Sequence, residues 1–277
     1  MSTTPPEQDE LAGTEAPFVS HLIELRDRMI RTLIAVGIVF GGLMLWPGAG
    51  ALYDLLAAPL AKHLPQGATL IATSVITPFL VPLKITLMAA FLVALPYVLY
   101  QIWAFVAPGL YSHEKRLVLP LVVSSTVLFF LGVGFVYFVV IPGLSEFIQL
   151  VAPTSVTAAP DVEEYFGFVL TLFLVFGIAF EVPIAVIVLV RIGVVSIEQL
   201  QKARGYFIVG AFIVAAIVTP PDVISQLALA IPMCLLYEAG ILVSRMAVRD
   251  KAAKADKADK SEKAARADDT GDSSLGD

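Results

Sequence analysis

Four stretches of this chain run 18 to 27 residues with no more than one charged side chain each: Met29–Trp46, Phe79–Phe105, Leu117–Ile141 and Tyr165–Val190. A bilayer hydrocarbon core about 30 Å thick is crossed by roughly 20 helical residues rising 1.5 Å each. Runs of that length therefore read as membrane spans. The composition agrees, with 58% hydrophobic and 15% charged residues against about 45–50% and about 25% in soluble domains.

The runs end at recognisable breakers: Trp46-Pro47-Gly48, Pro108-Gly109, Pro142-Gly143 and Arg191. Two shorter ones follow. Gly205–Thr219 precedes Pro220-Pro221-Asp222, and a sixth run from Val223 meets Pro232 halfway. The expected architecture is an all-α polytopic membrane protein with six transmembrane helices, over about 29–46, 79–105, 117–141, 165–190, 205–219 and 223–242, helices five and six being short. Fifteen helical residues rise only about 22 Å. Either the last hairpin thins the bilayer or hides its ends against neighbours, or the helices extend beyond these bounds.

Lys and Arg near span ends mark the cytoplasmic side. Arg26, Arg28 and Arg31 lie at the first span, Lys115 and Arg116 between the second and third, Arg191, Lys202 and Arg204 between the fourth and fifth, and Arg245 and Arg249 after the sixth. The alternate connections hold only Lys62. Both termini are therefore expected in the cytoplasm. The first outer loop contains an apolar stretch, Ala51–Leu60, suited to a short interfacial helix. The second carries Glu146, Asp161, Glu163 and Glu164, read as solvation. The organisation expected is an acidic disordered N-terminus over 1–17, a six-helix domain over 18–248, and a disordered charged tail over 249–277, whose Lys/Ala/Asp rotation is helix-prone but has no apolar face.

Several classes drop out. One cysteine, Cys234 in an apolar run, makes no internal bridge, and the scattered basic residues form no patch for phosphates, so no nucleic acid is expected. The acidic start lacks the basic n-region of a cleaved signal. His21 and His113 map to the cytoplasmic side and His63 to an outer loop, leaving no catalytic constellation, metal set or cofactor site within the spans.

Polar groups inside a span are costly and informative. Glu181, in Phe176-Gly177-Ile178-Ala179-Phe180-Glu181-Val182-Pro183, sits about 15 Å of helix from Arg191, beside a proline that withholds a donor and kinks the helix. Three readings stand open: a polar docking point for another helix, a proton site, and a carboxyl bonded within the bundle. Lys84 is expected to snorkel outward. Asp222 suits a helix cap, Gln226 lies one turn beyond, and Glu238 reaches water near the cytoplasmic end.

On the cytoplasmic side, Phe18 to Arg28 has amphipathic helical spacing, with Ser20 a candidate N-cap and Glu24 and Arg28 at i, i+4. The next cytoplasmic loop, Phe105 to Arg116, combines aromatics with Glu114. Two carboxylates beside apolar side chains suit a peptide carrying arginines and a hydrophobic segment.

At these residues the sequence closely resembles the TatC family, the multispanning receptor subunit of the twin-arginine protein translocase. The matching stretches are His21-Leu22-Ile23-Glu24-Leu25-Arg26, Trp103 to Tyr111, Glu114-Lys115-Arg116, Phe176-Gly177 through Glu181-Val182-Pro183, and Thr219-Pro220-Pro221-Asp222. The resemblance implies a curved, cupped wall of six helices in the bacterial inner membrane. It implies recognition of signal peptides with two adjacent arginines and transport of folded cargo, with TatA-type and TatB-type single-span partners and self-association, driven by the proton-motive force. By position it gives Glu24 and Glu114 to the signal arginines, Arg26 and Phe105 to the surface around them, Glu181 to an intramembrane polar site, and Pro59, Asp222 and Gln226 to the outer rim. The rival from a different class is a proton-coupled transporter of a small solute using Glu181, against which stand the absent inverted repeat and the isolation of that acid. An intramembrane hydrolase lacks its nucleophile and base.

Overall fold

The computed structural model describes residues 12–63, 71–106, 118–151, 161–219 and 223–272. They are almost wholly helical. The elements are α1 (Ala12–Leu45), α2 (Ala49–His63), α3 (Thr77–Val106), α4 (Val118–Phe135), a π turn over Val136–Val140, α5 (Ile141–Val151), α6 (Val162–Arg191), α7 (Ile197–Lys202), α8 (Arg204–Val218) and α9 (Val223–Asp272). Among the described residues the only extended pairing is an isolated parallel bridge between Ile71 and Asp161. Five helical stretches are long and apolar enough to cross a membrane: Val19–Leu45, Thr77–Val106, Val118–Phe147, Val162–Arg191 and Val223–Arg249.

Local chemistry explains most boundaries. At the end of α1 the Gly48 amide donates to the Leu43 carbonyl at 3.0 Å, with Gly48 at φ 90°, a conformation that suits a residue without a Cβ. α6 begins on Asp161, whose Oδ1 accepts from the Glu163 and Glu164 amides at 2.7 and 3.2 Å, an N-cap satisfying two otherwise orphaned donors. It ends on Gly193 at φ 75°. α7 opens with a capping box, Ser196 and Gln199 each accepting the other's backbone N–H.

The structure departs from the sequence expectation at prolines. Pro142-Gly143 does not end a helix: the chain continues through them to Val151. Immediately before Pro142 the helix widens into the π turn, with the Ile141 N–H bonded to the Val136 carbonyl, and this gives room for a ring that would otherwise press on the preceding turn. Pro232 likewise lies inside α9, so the sixth helix is not short; its apolar part, Val223–Arg249, has 27 residues. The helix extends on to Asp272. α8, at 15 residues, is the short one.

The chain divides into two compact units, Met1–Ile178 and Ala179–Asp277. In the first, Val81 and Ile85 of α3 pack on Val162 and Phe166 of α6, with Leu52, Tyr53 and Leu56 of α2 against them. Leu95 and Leu99 of α3 meet Phe129 of α4. Between α4 and α6, Gly177 lies directly under the Phe129 ring. In the second unit Val186 of α6, Leu200 of α7, and Tyr237 and Ile241 of α9 form the core. The Tyr237 hydroxyl donates to the Leu200 carbonyl at 2.8 Å, and its ring stacks on Phe207 of α8 at 4.1 Å. Outward faces are apolar, including Leu33 and Ile38 on α1 and Ile213 and Ile217 on α8, as a hydrocarbon surrounding requires.

Candidate functional site

Glu24 and Arg28 lie one helical turn apart on α1, so their side chains share a face. Arg28 Nε and Nη2 both donate to Glu24 Oε1, at 2.9 and 2.6 Å. Arg28 Nη1 turns the other way and donates to Oε1 of Gln101 on α3 at 3.1 Å. The guanidinium thus joins α1 to α3 and fixes one oxygen of the Glu24 carboxylate. The other, Oε2, lies 3.9 Å from His21 Nδ1. The His21 imidazole stacks on the Phe105 ring at 4.3 Å and 14° between planes. The result is a carboxylate held on one oxygen, with its second oxygen beside a planar aromatic pair.

The other expected residues fall as follows. Arg26 does not face Glu24; its Nη2 donates to the neighbouring Asp27 at 2.9 Å, and it stays exposed. Glu114 and Asp222 lie outside the described residues, and of Pro59 only the backbone, within α2, is described. Gln226 on α9 donates through Nε2 to the Phe212 carbonyl of α8 at 3.1 Å, fastening that hairpin. Glu238 does more than reach water, since Arg204 grips it with two hydrogen bonds of 2.7 Å, Nε to Oε1 and Nη2 to Oε2. Glu181 is half-buried on α6 with Oε1 sealed from solvent, two residues before Pro183. A Cβ on Gly240 of α9 would come within 2.9 Å of the Pro183 Cα.

A second polar cluster was read from sequence as plain solvation and is something else. Asp161 Oδ2 accepts from the Thr73 amide at 3.1 Å and from its hydroxyl at 2.7 Å. Glu163 accepts from the Thr77 hydroxyl at 3.0 Å and from Lys84 Nζ at 2.8 Å. Lys84 therefore pairs across helices instead of merely snorkelling. The Thr73 hydroxyl, with the amides of the first α6 turn, holds the Asp161 carboxyl below its ordinary range. The cluster ties the segment before α3 to the start of α6.

Two contributors to the first site escaped the sequence reading. Gln101 is 5% exposed within an apolar helix, and His21 supplies the face that covers Phe105. A lone amide in such a run is itself a signal, because a buried polar group needs a partner. No cluster of three or more metal-ligating side chains occurs among the described residues.

The model for the Sec-independent protein translocase protein TatC matches residues 20–232. A relative from Halothiobacillus neapolitanus named Sec-independent protein translocase protein TatC is 50% identical over 87% of this chain and 65% of its own length. The chain belongs to the TatC family. Relatives of the same name from Haemophilus influenzae and Escherichia coli K12 are each 49% identical, over 83% and 84% of this chain and 89% of their own lengths. A crystal structure of a twin-arginine translocase receptor TatC superposes with a TM-score of 0.72 at 43% identity, covering 82% of this chain and 99% of that one. A second, in DDM, gives 0.74 at 43% identity, over 81% and 99%. With its long apolar helices, this TatC-family chain is an integral membrane protein of a translocase class, not an enzyme.

Proposed function

We propose that this chain is the signal receptor of a twin-arginine translocase, embedded in a bacterial inner membrane with both termini in the cytoplasm. It binds signal peptides at the cytoplasmic face and moves folded proteins with TatA-type and TatB-type single-span partners, driven by the proton-motive force. Six spans carry it, α8 being the short one. The orientation rests on the Lys and Arg distribution.

The observation that supports this best is the state of Glu24. Arg28 occupies Oε1, while Oε2 is directed toward His21 and the stacked Phe105. A carboxylate with one oxygen fixed and the other on offer suits a guanidinium, which donates in a planar fork. The aromatic pair alongside suits the flat face of the same group. Glu114, nine residues after Phe105, is the acceptor assigned to the second arginine. Glu181 takes the role of an intramembrane polar site for signal or partner helices, Pro59, Asp222 and Gln226 belong to the outer rim, and Arg26 borders the binding surface.

Site-specific crosslinking of a twin-arginine signal peptide to membranes containing the full chain tests the assignment. Glu24→Ala and Glu114→Ala are expected to lower crosslinking while leaving the protein inserted. Unchanged yield in both variants would overturn it.

A further inference from the structure

We infer that Gln101 is a positioning residue for arginine recognition: through Arg28 it sets the orientation in which Glu24 meets the signal. This rests on the reading of Glu24 given above.

Gln101 lies on α3 at 5% exposure, between Tyr100 and Ile102 in an apolar helix, where an amide without a partner is costly. Its Oε1 accepts from Arg28 Nη1 at 3.1 Å. That contact uses the outer corner of the guanidinium, and the opposite edge, Nε and Nη2, delivers two hydrogen bonds to the same oxygen of Glu24. A planar group fixed at both sides has little freedom to rotate. Arg28 is correspondingly 21% exposed, against 36% for Glu24.

The consequence falls on Glu24. A carboxylate on an exposed helix face ordinarily rotates, offering either oxygen or both to any cation. Here rotation is arrested because Oε1 is committed to Arg28, so Oε2 is presented in one direction, toward the His21 and Phe105 pair. A fixed direction favours a ligand with directional donors. An ammonium, a compact point charge, gains little from it. Gln101 therefore governs selectivity for arginine over lysine as well as affinity, without touching the peptide.

The test uses the full chain in membranes and two synthetic signal peptides, one with adjacent arginines and one with lysines in their place. Gln101→Met keeps the side-chain length and removes the acceptor. Affinity for the arginine peptide is expected to fall roughly fivefold, about what one hydrogen bond contributes, with lysine-peptide binding unchanged, so that selectivity narrows. Gln101→Glu, which still accepts from Arg28, is expected to keep the selectivity. If Gln101→Met does not accumulate in membranes, Arg28→Lys carries the same comparison, since an ammonium cannot reproduce the two-sided fork. Full selectivity in Gln101→Met or in Arg28→Lys, with binding lost in Glu24→Ala, would overturn the positioning role and leave the receptor reading standing. Unchanged binding in Glu24→Ala would overturn both.

Discussion

Gly177 offers the sharpest test of the helix packing. A Cβ built at this position of α6 would lie 2.3 Å from Cζ of Phe129 and 2.5 and 2.6 Å from the two ring Cε atoms. Relaxed carbon contacts are about 3.5 Å or longer, so Gly177→Ala forces the ring back by about 1.2 Å. The ring has little room to retreat, because Phe129 is 3% exposed and packs with Leu95, Leu99, Phe91 and Trp103. Overpacking of this kind costs about 1–3 kcal/mol. In a chain of this size that corresponds to several degrees of melting temperature. The assay is thermal unfolding of the detergent-solubilised protein, followed by tryptophan fluorescence. Phe129→Leu alone is expected to destabilise modestly by leaving space, and the double variant to recover much of the loss, since the smaller side chain admits the new methyl. Non-additivity of about 1 kcal/mol is the signature of direct contact. Gly177→Ala with an unchanged melt, or strict additivity in the double variant, would refute the contact between Phe129 of α4 and Gly177 of α6.

The outer cluster makes a prediction about acid. A carboxyl whose folded pKa is depressed stabilises above its unfolded pKa, and that contribution is lost only as pH falls through the folded value. Because the Thr73 hydroxyl and the α6 amides hold Asp161 below its ordinary range, the melting gap between wild type and Asp161→Asn is expected to stay constant from pH 7 to about 5 and shrink below about 4. A gap that closes by pH 6 would contradict it. Gly240→Val is expected to push α9 away from Pro183, where a Cβ has only 2.9 Å, lowering the melting temperature; an unaltered melt would contradict the close approach. For Glu181, replacement by Ala is expected to weaken crosslinking to a single-span partner helix, while Gln retains part of it because an amide still forms hydrogen bonds; equal loss in both would favour a proton-coupled role.

Much of the fold was legible because hydropathy is a one-dimensional property. A run such as Tyr165–Val190 declares itself without reference to the rest of the chain, and Val162–Arg191 is the helix observed. Proline was the weak signal. Pro47 follows α1 and Pro142 does not stop its helix, and the difference lies in whether the preceding turn can widen, as Val136–Val140 does. The Glu24–Arg28 pair was visible at i, i+4, but Gln101 was not, because 73 residues separate it from its partner. The same holds for Thr73 and Asp161, 88 residues apart. Long-range hydrogen bonds leave no periodic trace in the sequence.

What the sequence offered as a set of similar acids, the structure separates by how much acceptor capacity each retains. Asp161 receives two donors on Oδ1 and two on Oδ2. Glu163 receives Lys84 on one oxygen and Thr77 on the other. Glu238 meets both prongs of Arg204. In these three each oxygen is engaged within the chain, so binding an external cation would mean breaking a bond already made. Glu24 differs in kind: both donors from Arg28 converge on Oε1, and the His21 imidazole lies 3.9 Å from Oε2, beyond hydrogen-bond reach. Among the described residues no donor is bonded to Oε2, so an incoming guanidinium there adds a hydrogen bond without displacing one of theirs. On the receptor reading proposed above, that difference in what must be broken, more than the presence of negative charge, favours Glu24 over Asp161, Glu163 and Glu238 for a ligand bearing arginines.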